Sequence, residues 1–107
     1  MEIILHAHHA EVSDSLREQA EAAIRLIATR VGRVANAIIR FVGDGQTRRV
    51  EIVLQGTRTR TRSLFAQADA REFAPALATA VHRLESQIAR LRSRRSRRVA
   101  PPGERTG

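Results

Sequence analysis

The side chains best equipped for chemistry in this chain are its arginines, and their spacing is regular in two places. In "QGTRTRTRSLF", residues 55 to 65, Arg58, Arg60 and Arg62 alternate with Thr57, Thr59 and Thr61. A period of two suits an extended chain, and a branched Thr at alternate positions keeps it extended. Such a strand cannot lay its guanidinium face on a core without desolvating charge. Further on, Arg83, Arg90, Arg94 and Arg97 are spaced by seven, four and three. On a helix that spacing lines them along one flank, a ridge about four turns long. A guanidinium grips a phosphate with two parallel hydrogen bonds. An aligned row of them fits a phosphate backbone better than base edges, so the expected binding is independent of sequence. Two plainer readings stand beside this one. Cations favour any helix C-terminus, and charge on a strand edge guards against aggregation.

Other reactive groupings lead nowhere comparable. His6 and His8 of "HAHH" share a strand face, but two histidines without a cysteine or an obvious third ligand make a weak zinc site. His82 falls on the solvent side of a helix. The carboxylates form no isolated inward pair, and no Ser or Thr occupies a nucleophile elbow. Gly43 and Gly45 flank Asp44 as a turn, not as a phosphate-binding loop. The expectation is a protein that is not an enzyme and takes no metal or cofactor.

Bulk composition agrees with a polyanionic partner. The chain has 107 residues and a formal charge of +8, and all nineteen basic residues are arginine. Residues 83 to 98 carry seven of them against one acid, Glu85, which leaves twelve against ten elsewhere. Charge so concentrated points to RNA or DNA ahead of a membrane surface. A coding bias towards arginine and alanine explains the composition equally well, but not the clustering. With no cysteine, no apolar run long enough to cross a membrane and no signal-peptide pattern at "MEIILHAHHAEV", the expected location is the cytoplasm.

These groups need elements to position them. "MEIILHA" alternates as a strand, with Ile3, Leu5 and Ala7 on one face and His6 and His8 on the other. Ser13 is a good N-cap, and Leu16, Ala20, Ile24, Ile27 and Val31 recur at helical steps until Gly32 stops the helix. "ANAIIRFV" is apolar on both parities, as a central strand should be, and "GDG" at 43 to 45 turns the chain back. In "RVEIVLQ", Val50, Ile52 and Leu54 face inwards, and in "SLFAQADA", Leu64, Ala66 and Ala68 do. Pairing Leu54 with Leu64, Ile52 with Ala66 and Val50 with Ala68 closes a hairpin around Thr59. The Thr-Arg repeat then forms its tip. Phe73, Leu77, Val81, Leu84, Ile88 and Leu91 make a second helical stripe, starting near Glu72 because Pro75 fits only in a first turn. The order is β-α-β-β-β-α, an α+β fold with two helices on one face of a four-stranded sheet, close to the order of double-stranded-RNA-binding domains. The other sheet face is expected to be comparatively polar. One domain spans residues 1 to 98, followed by a disordered Pro/Gly-rich tail, 99 to 107. The alanine-rich core leaves room for weak self-association through an exposed sheet edge.

Taken together, "EVSDSLREQAEAAI" after an alternating strand, "RVANAIIRFV", "VEIVL" and "ALATAVHRLESQIARL" resemble the ribosome hibernation promoting factors and ribosome-associated inhibitors, also called sigma-factor modulation proteins. The resemblance covers residues 1 to 98. It implies a stress-responsive translation inhibitor that binds small-subunit rRNA in the mRNA/tRNA channel through basic helix surfaces. On that basis Arg83, Arg90, Arg94 and Arg97 contact rRNA, with Arg25 or Arg33 as weaker contacts. The Thr-Arg ribbon is an extension that departs from the family pattern, and its Arg58, Arg60 and Arg62 are candidate phosphate contacts on their charge and spacing alone. The chain departs from the family pattern at "EFAPALA", where an Asp-x-Tyr-x-Ala-Ile-Asp-like start is usual, and in its lack of lysine. It resembles a short form, without the C-terminal extension of some members. Two alternatives remain open at this point: a general binder of structured RNA, and an adaptor for an acidic protein partner.

Overall fold

The computed structural model describes residues 1–32, 34–56 and 63–98, with residues 92–98 described as backbone only. Its elements are β1 (Glu2–His8), α1 (Asp14–Val31), β2 (Val34–Asp44), β3 (Thr47–Gly56), β4 (Leu64–Ala70) and α2 (Phe73–Arg98). The strands lie in the order β1-β2-β3-β4. β1 runs parallel to β2, which requires the α1 crossover, and the other two pairings are antiparallel. This is the expected α+β architecture, with both helices covering one sheet face.

Each helix end has a local cause. The Ser13 side chain accepts a hydrogen bond from the Leu16 amide at 3.1 Å and caps α1. Gly32, at φ 90°, ends it, donating its own amide to the Ala28 carbonyl. α2 begins at Phe73, with Pro75 inside its first turn. Phe73 packs edge-on against Phe41 with ring centroids 5.4 Å apart, and the Arg48 guanidinium lies 5.9 Å from the Phe73 centroid.

The core forms where the apolar parities of the strands meet the helical stripes. Ala37, Ile39 and Phe41 of β2, Val50, Ile52 and Leu54 of β3, and Ala66 and Ala68 of β4 are buried. Against them lie Ala20, Ile24 and Ile27 of α1 and Ala76, Leu77, Ala80, Leu84 and Ile88 of α2. Alanines on both the β4 and the α2 surfaces let that helix approach the sheet closely. The predicted pairing of β3 with β4 is the one observed: Leu54 opposite Leu64, Ile52 opposite Ala66, Val50 opposite Ala68.

Four expectations change. The β2–β3 turn falls at Gly45-Gln46, not across 43 to 45, and Gly45 takes φ 60°. Gly43 belongs to β2 and is glycine for a different reason: a Cβ there would collide with the backbone carbonyl of His9. Leu91 extends the α2 stripe in sequence but is 38% exposed, because that turn of the helix has passed the end of β4. Ala7 is exposed although it shares a parity with Ile3 and Leu5. The far sheet face is also less polar than its strands suggest. Ile4, Ile38, Val53 and Phe65 pair in register across all four strands and draw an apolar row over it.

Gly43→Ala is expected to lower stability by about 1–3 kcal/mol, as overpacking a close backbone approach does. Gly45→Ala, strained only by its left-handed backbone, is expected to cost about 1 kcal/mol. Denaturant unfolding of the two variants checks the order.

Candidate nucleic-acid interface

α1 and α2 lie side by side, and an ion pair bridges them: the Arg30 guanidinium donates to Glu85 at 2.7 Å. That contact orients α2. Glu85 faces α1, so the opposite flank of α2 looks outwards over β4, the last strand of the sheet. Arg83 and Gln87 occupy this flank. Arg83 donates to the Gln67 carbonyl at 2.7 Å, and the Gln87 amide donates to the Phe65 carbonyl at 2.6 Å. Phe65 and Gln67 are two residues apart on a strand, so their carbonyls point the same way. A guanidinium and an amide therefore stand where a fifth strand would otherwise pair, which protects the edge.

The expected ridge is thus partly structural. Arg83 heads it but is committed to the β4 backbone. One helical stretch further on, Arg90 is exposed and donates only a long, 3.4 Å hydrogen bond to the Ser86 carbonyl of its own helix. Arg94 and Arg97 fall within α2 and continue the same flank by their helical spacing. Arg25 is exposed on α1, away from this line, with Glu18 and Glu21 on the same side of its helix. Arg33, Arg58, Arg60 and Arg62 lie outside the described residues, as do the Thr-Arg hairpin tip and the tail from residue 99. The topology nevertheless fixes where that hairpin departs. β3 ends at Gly56 and β4 begins at Leu64, at the same end of the sheet past which α2 runs. From Gln87, level with Phe65, eleven more helical residues extend about 16 Å.

The described arginines sort by partner. On the open sheet face Arg49 donates to Asp69 at 2.8 Å and lies 3.9 Å from Glu51, while Arg40 lies 4.0 Å from Glu51. The hydrogen bond and charge of Asp69 hold the Arg49 pKa above its ordinary value. A raised pKa contributes stability below the unfolded value, so this surface pair is present through the whole neutral range and adds little. Arg83 and Arg90 on α2, like Arg48 on the helix face of β3, have uncharged carbonyls as partners. Their positive charge is hydrogen-bonded but not neutralised.

The sequence reading missed Gln87 and the edge-capping role of Arg83. Gln87 lies four residues after Arg83, on the same flank, and that spacing is the signal that was available. His6 and His8 do share the open face, with ring centroids 6.1 Å apart. No helix among the described residues is long and apolar enough to cross a membrane.

A four-stranded mixed sheet, two helices on one face and an arginine-dense helix that outruns the sheet define an α+β domain with one strongly basic end. The chain belongs to the Sigma 54 modulation protein / S30EA ribosomal protein family, whose model matches residues 3–96. This is a family of ribosome-associated factors. A ribosomal subunit interface protein from Coxiella burnetii has a similar fold, with TM-score 0.76 and 20% identity over 87% of this chain and 99% of that one. The N-terminal domain of Protein Y from Thermus thermophilus is similar too, with TM-score 0.71 and 21% identity over 85% of this chain and 99% of that domain. No curated protein matches the chain.

Arg83→Ala is expected to cost about 1 kcal/mol of stability by freeing the β4 edge, discounted for the exposure of the bond. Arg90→Ala is expected to leave stability within about 0.5 kcal/mol of the parent. Equilibrium unfolding monitored by circular dichroism separates the two.

Proposed function

We propose that this protein is a non-enzymatic translation inhibitor of the hibernation-factor type. It binds small-subunit rRNA in the mRNA/tRNA channel and excludes both ligands by occupancy. The observation that carries this reading is the sorting of charge. Arginines on the sheet face are matched by carboxylates, whereas those described along the α2 flank are matched only by carbonyls. An unneutralised row on a rigid helix releases counterions when phosphates replace them, which drives binding without base recognition. Membership of the family supplies the ribosome as the RNA in question.

Within this reading the ridge from Arg90 through Arg94 to Arg97 supplies the main phosphate contacts. Arg83 has a double role, holding the edge while contributing to the field. Arg58, Arg60 and Arg62 add to the cationic end of the molecule, since β3 ends and β4 begins at the end of the sheet past which α2 runs. Arg33 follows α1 directly, and Arg25 contributes least because of its acidic neighbours. The protein acts in the cytoplasm, where ribosomes are, and its value to the cell lies in starvation or stress.

Co-sedimentation with ribosomal subunits on sucrose gradients tests the proposal. The expected outcome is one-to-one retention on the small subunit at moderate salt. Changing Arg90, Arg94 and Arg97 together to Ala is expected to reduce the slope of log K against log salt by about 3, roughly one per lost phosphate contact. Changing Arg58, Arg60 and Arg62 together is expected to reduce it as well, and an unchanged slope removes the ribbon from the interface. Equal binding to both subunits and to bulk RNA, vanishing as salt rises, would make the protein a general RNA binder instead. Retention that survives nuclease digestion of the RNA would point to an acidic protein partner.

A further inference from the structure

The two edges of the sheet are treated differently. β4 is closed by Arg83 and Gln87. β1, at the other edge, receives no side-chain hydrogen bond to its backbone among the described residues. Its sequence, EIILHAH, has one charged residue and no proline or lysine, the usual defences of a free edge. The chain also leaves this edge clear. His9, at φ 52°, turns away so that its carbonyl lies against Gly43 of β2, on the inner side of β1. Burial points the same way. Ile3, Leu5, Val12 and Leu16, the apolar side chains nearest β1 on the helix face, are only partly buried, and Ala7 is exposed. β4 contributes the buried Ala66 and Ala68 to the core, whereas no residue of β1 is fully buried.

We propose that β1 pairs antiparallel with β1 of a second copy, joining two sheets into one eight-stranded sheet across a two-fold axis. Only one register uses all seven residues of both strands, and it places Leu5 on the axis. Ile3 then faces the partner's Ala7, and on the open sheet face Ile4 faces the partner's His6. Glu2 faces the partner's His8, and by symmetry His8 faces the partner's Glu2. The full-length register therefore sets an imidazole opposite a carboxylate at both ends, while the apolar residues meet in the middle. A self-complementary pattern of this kind is what a two-fold interface requires. A second copy fits this edge better than RNA does, because the strand offers no arginine to a phosphate. The contact lies at the sheet edge opposite the α2 ridge, so RNA binding and self-pairing can fail separately.

Sedimentation equilibrium of the intact protein without RNA, over a wide concentration range, tests the pairing. A monomer–dimer equilibrium is expected. His8→Glu, an exposed change that sets like charges opposite each other twice, is expected to weaken it roughly tenfold. Combining His8→Glu with Glu2→Arg is expected to restore it. The chain has no cysteine, so single Cys variants report the register. Leu5→Cys is expected to cross-link to itself most readily, with self-linking falling off at Ile3→Cys and Ala7→Cys. Circular dichroism of each variant confirms that it folds. A protein that stays monomeric throughout overturns the proposal. So does a dimer indifferent to His8→Glu, or one whose cross-links do not centre on Leu5.

Discussion

The close seating of α2 on the β3–β4 half of the sheet is the contact on which most of this structure depends. Ala66 and Ala68 on the strand and Ala76 and Ala80 on the helix are all buried. Short side chains on both surfaces bring the backbones together, and the larger Leu77, Leu84 and Ile88 fill what remains. Closeness has a chemical consequence. It brings the flank of the helix within reach of the edge strand, so that Arg83 and Gln87 can bond to β4 carbonyls directly. Larger residues in place of the alanines would lift the helix and leave those carbonyls to water or to another strand. Edge protection and helix seating are one arrangement.

The same seating decides where the charge goes. β4 has seven residues and α2 has twenty-six, so the helix outlasts the strand it covers. Where the sheet ends, the apolar stripe loses its cover, and Leu91 is already exposed. From residue 92 to the end of α2 five of the seven residues are arginine, a type that burial in a core would forbid. On the sheet face, by contrast, Arg40 and Arg49 sit in cross-strand register with Glu51 and Asp69 and are neutralised there. A formal charge of +8 therefore does not spread evenly. It is cancelled where Arg40 and Arg49 meet carboxylates across strands, and it gathers in α2, whose residues 83 to 98 hold seven arginines against one acid.

What was legible in the sequence follows from which interactions are local. The β3–β4 register could be read because both strands alternate and each presents three apolar residues on one face, which pair in order. Helix ends were legible at Ser13, Gly32 and Pro75, because caps and proline act within a few residues. Gly43 was misread as part of a turn because its reason lies thirty-four residues away, in the carbonyl of His9. The apolar row across the open face escaped notice for a related cause. Ile4, Ile38, Val53 and Phe65 each look like an isolated exception, and only the four-strand register joins them. At the basic site the spacing of the ridge was visible, but Arg83's commitment to β4 was not, since nothing local marks that strand as an edge.

A sheet built this way has an inherent asymmetry. The order β1-β2-β3-β4 leaves one edge next to the strand that leads directly into α2, and that helix must fold back over it. Its flank is then available to close the edge. The other edge is β1, whose following helix crosses over to deliver β2 on the inner side and so moves away from it. Parallel pairing of the first two strands thus sends the chain after β1 across to the inner side of the sheet, and among the described residues α1 gives β1 no bond like those that α2 gives β4. The open edge need not be read as a defect of this one sequence, because it follows from the topology. What the sequence chooses is how to dress it. Here it places isoleucine and leucine at the centre of β1, with a carboxylate at one end and an imidazole at the other. Lysine and proline, which commonly guard a free edge, are absent from it.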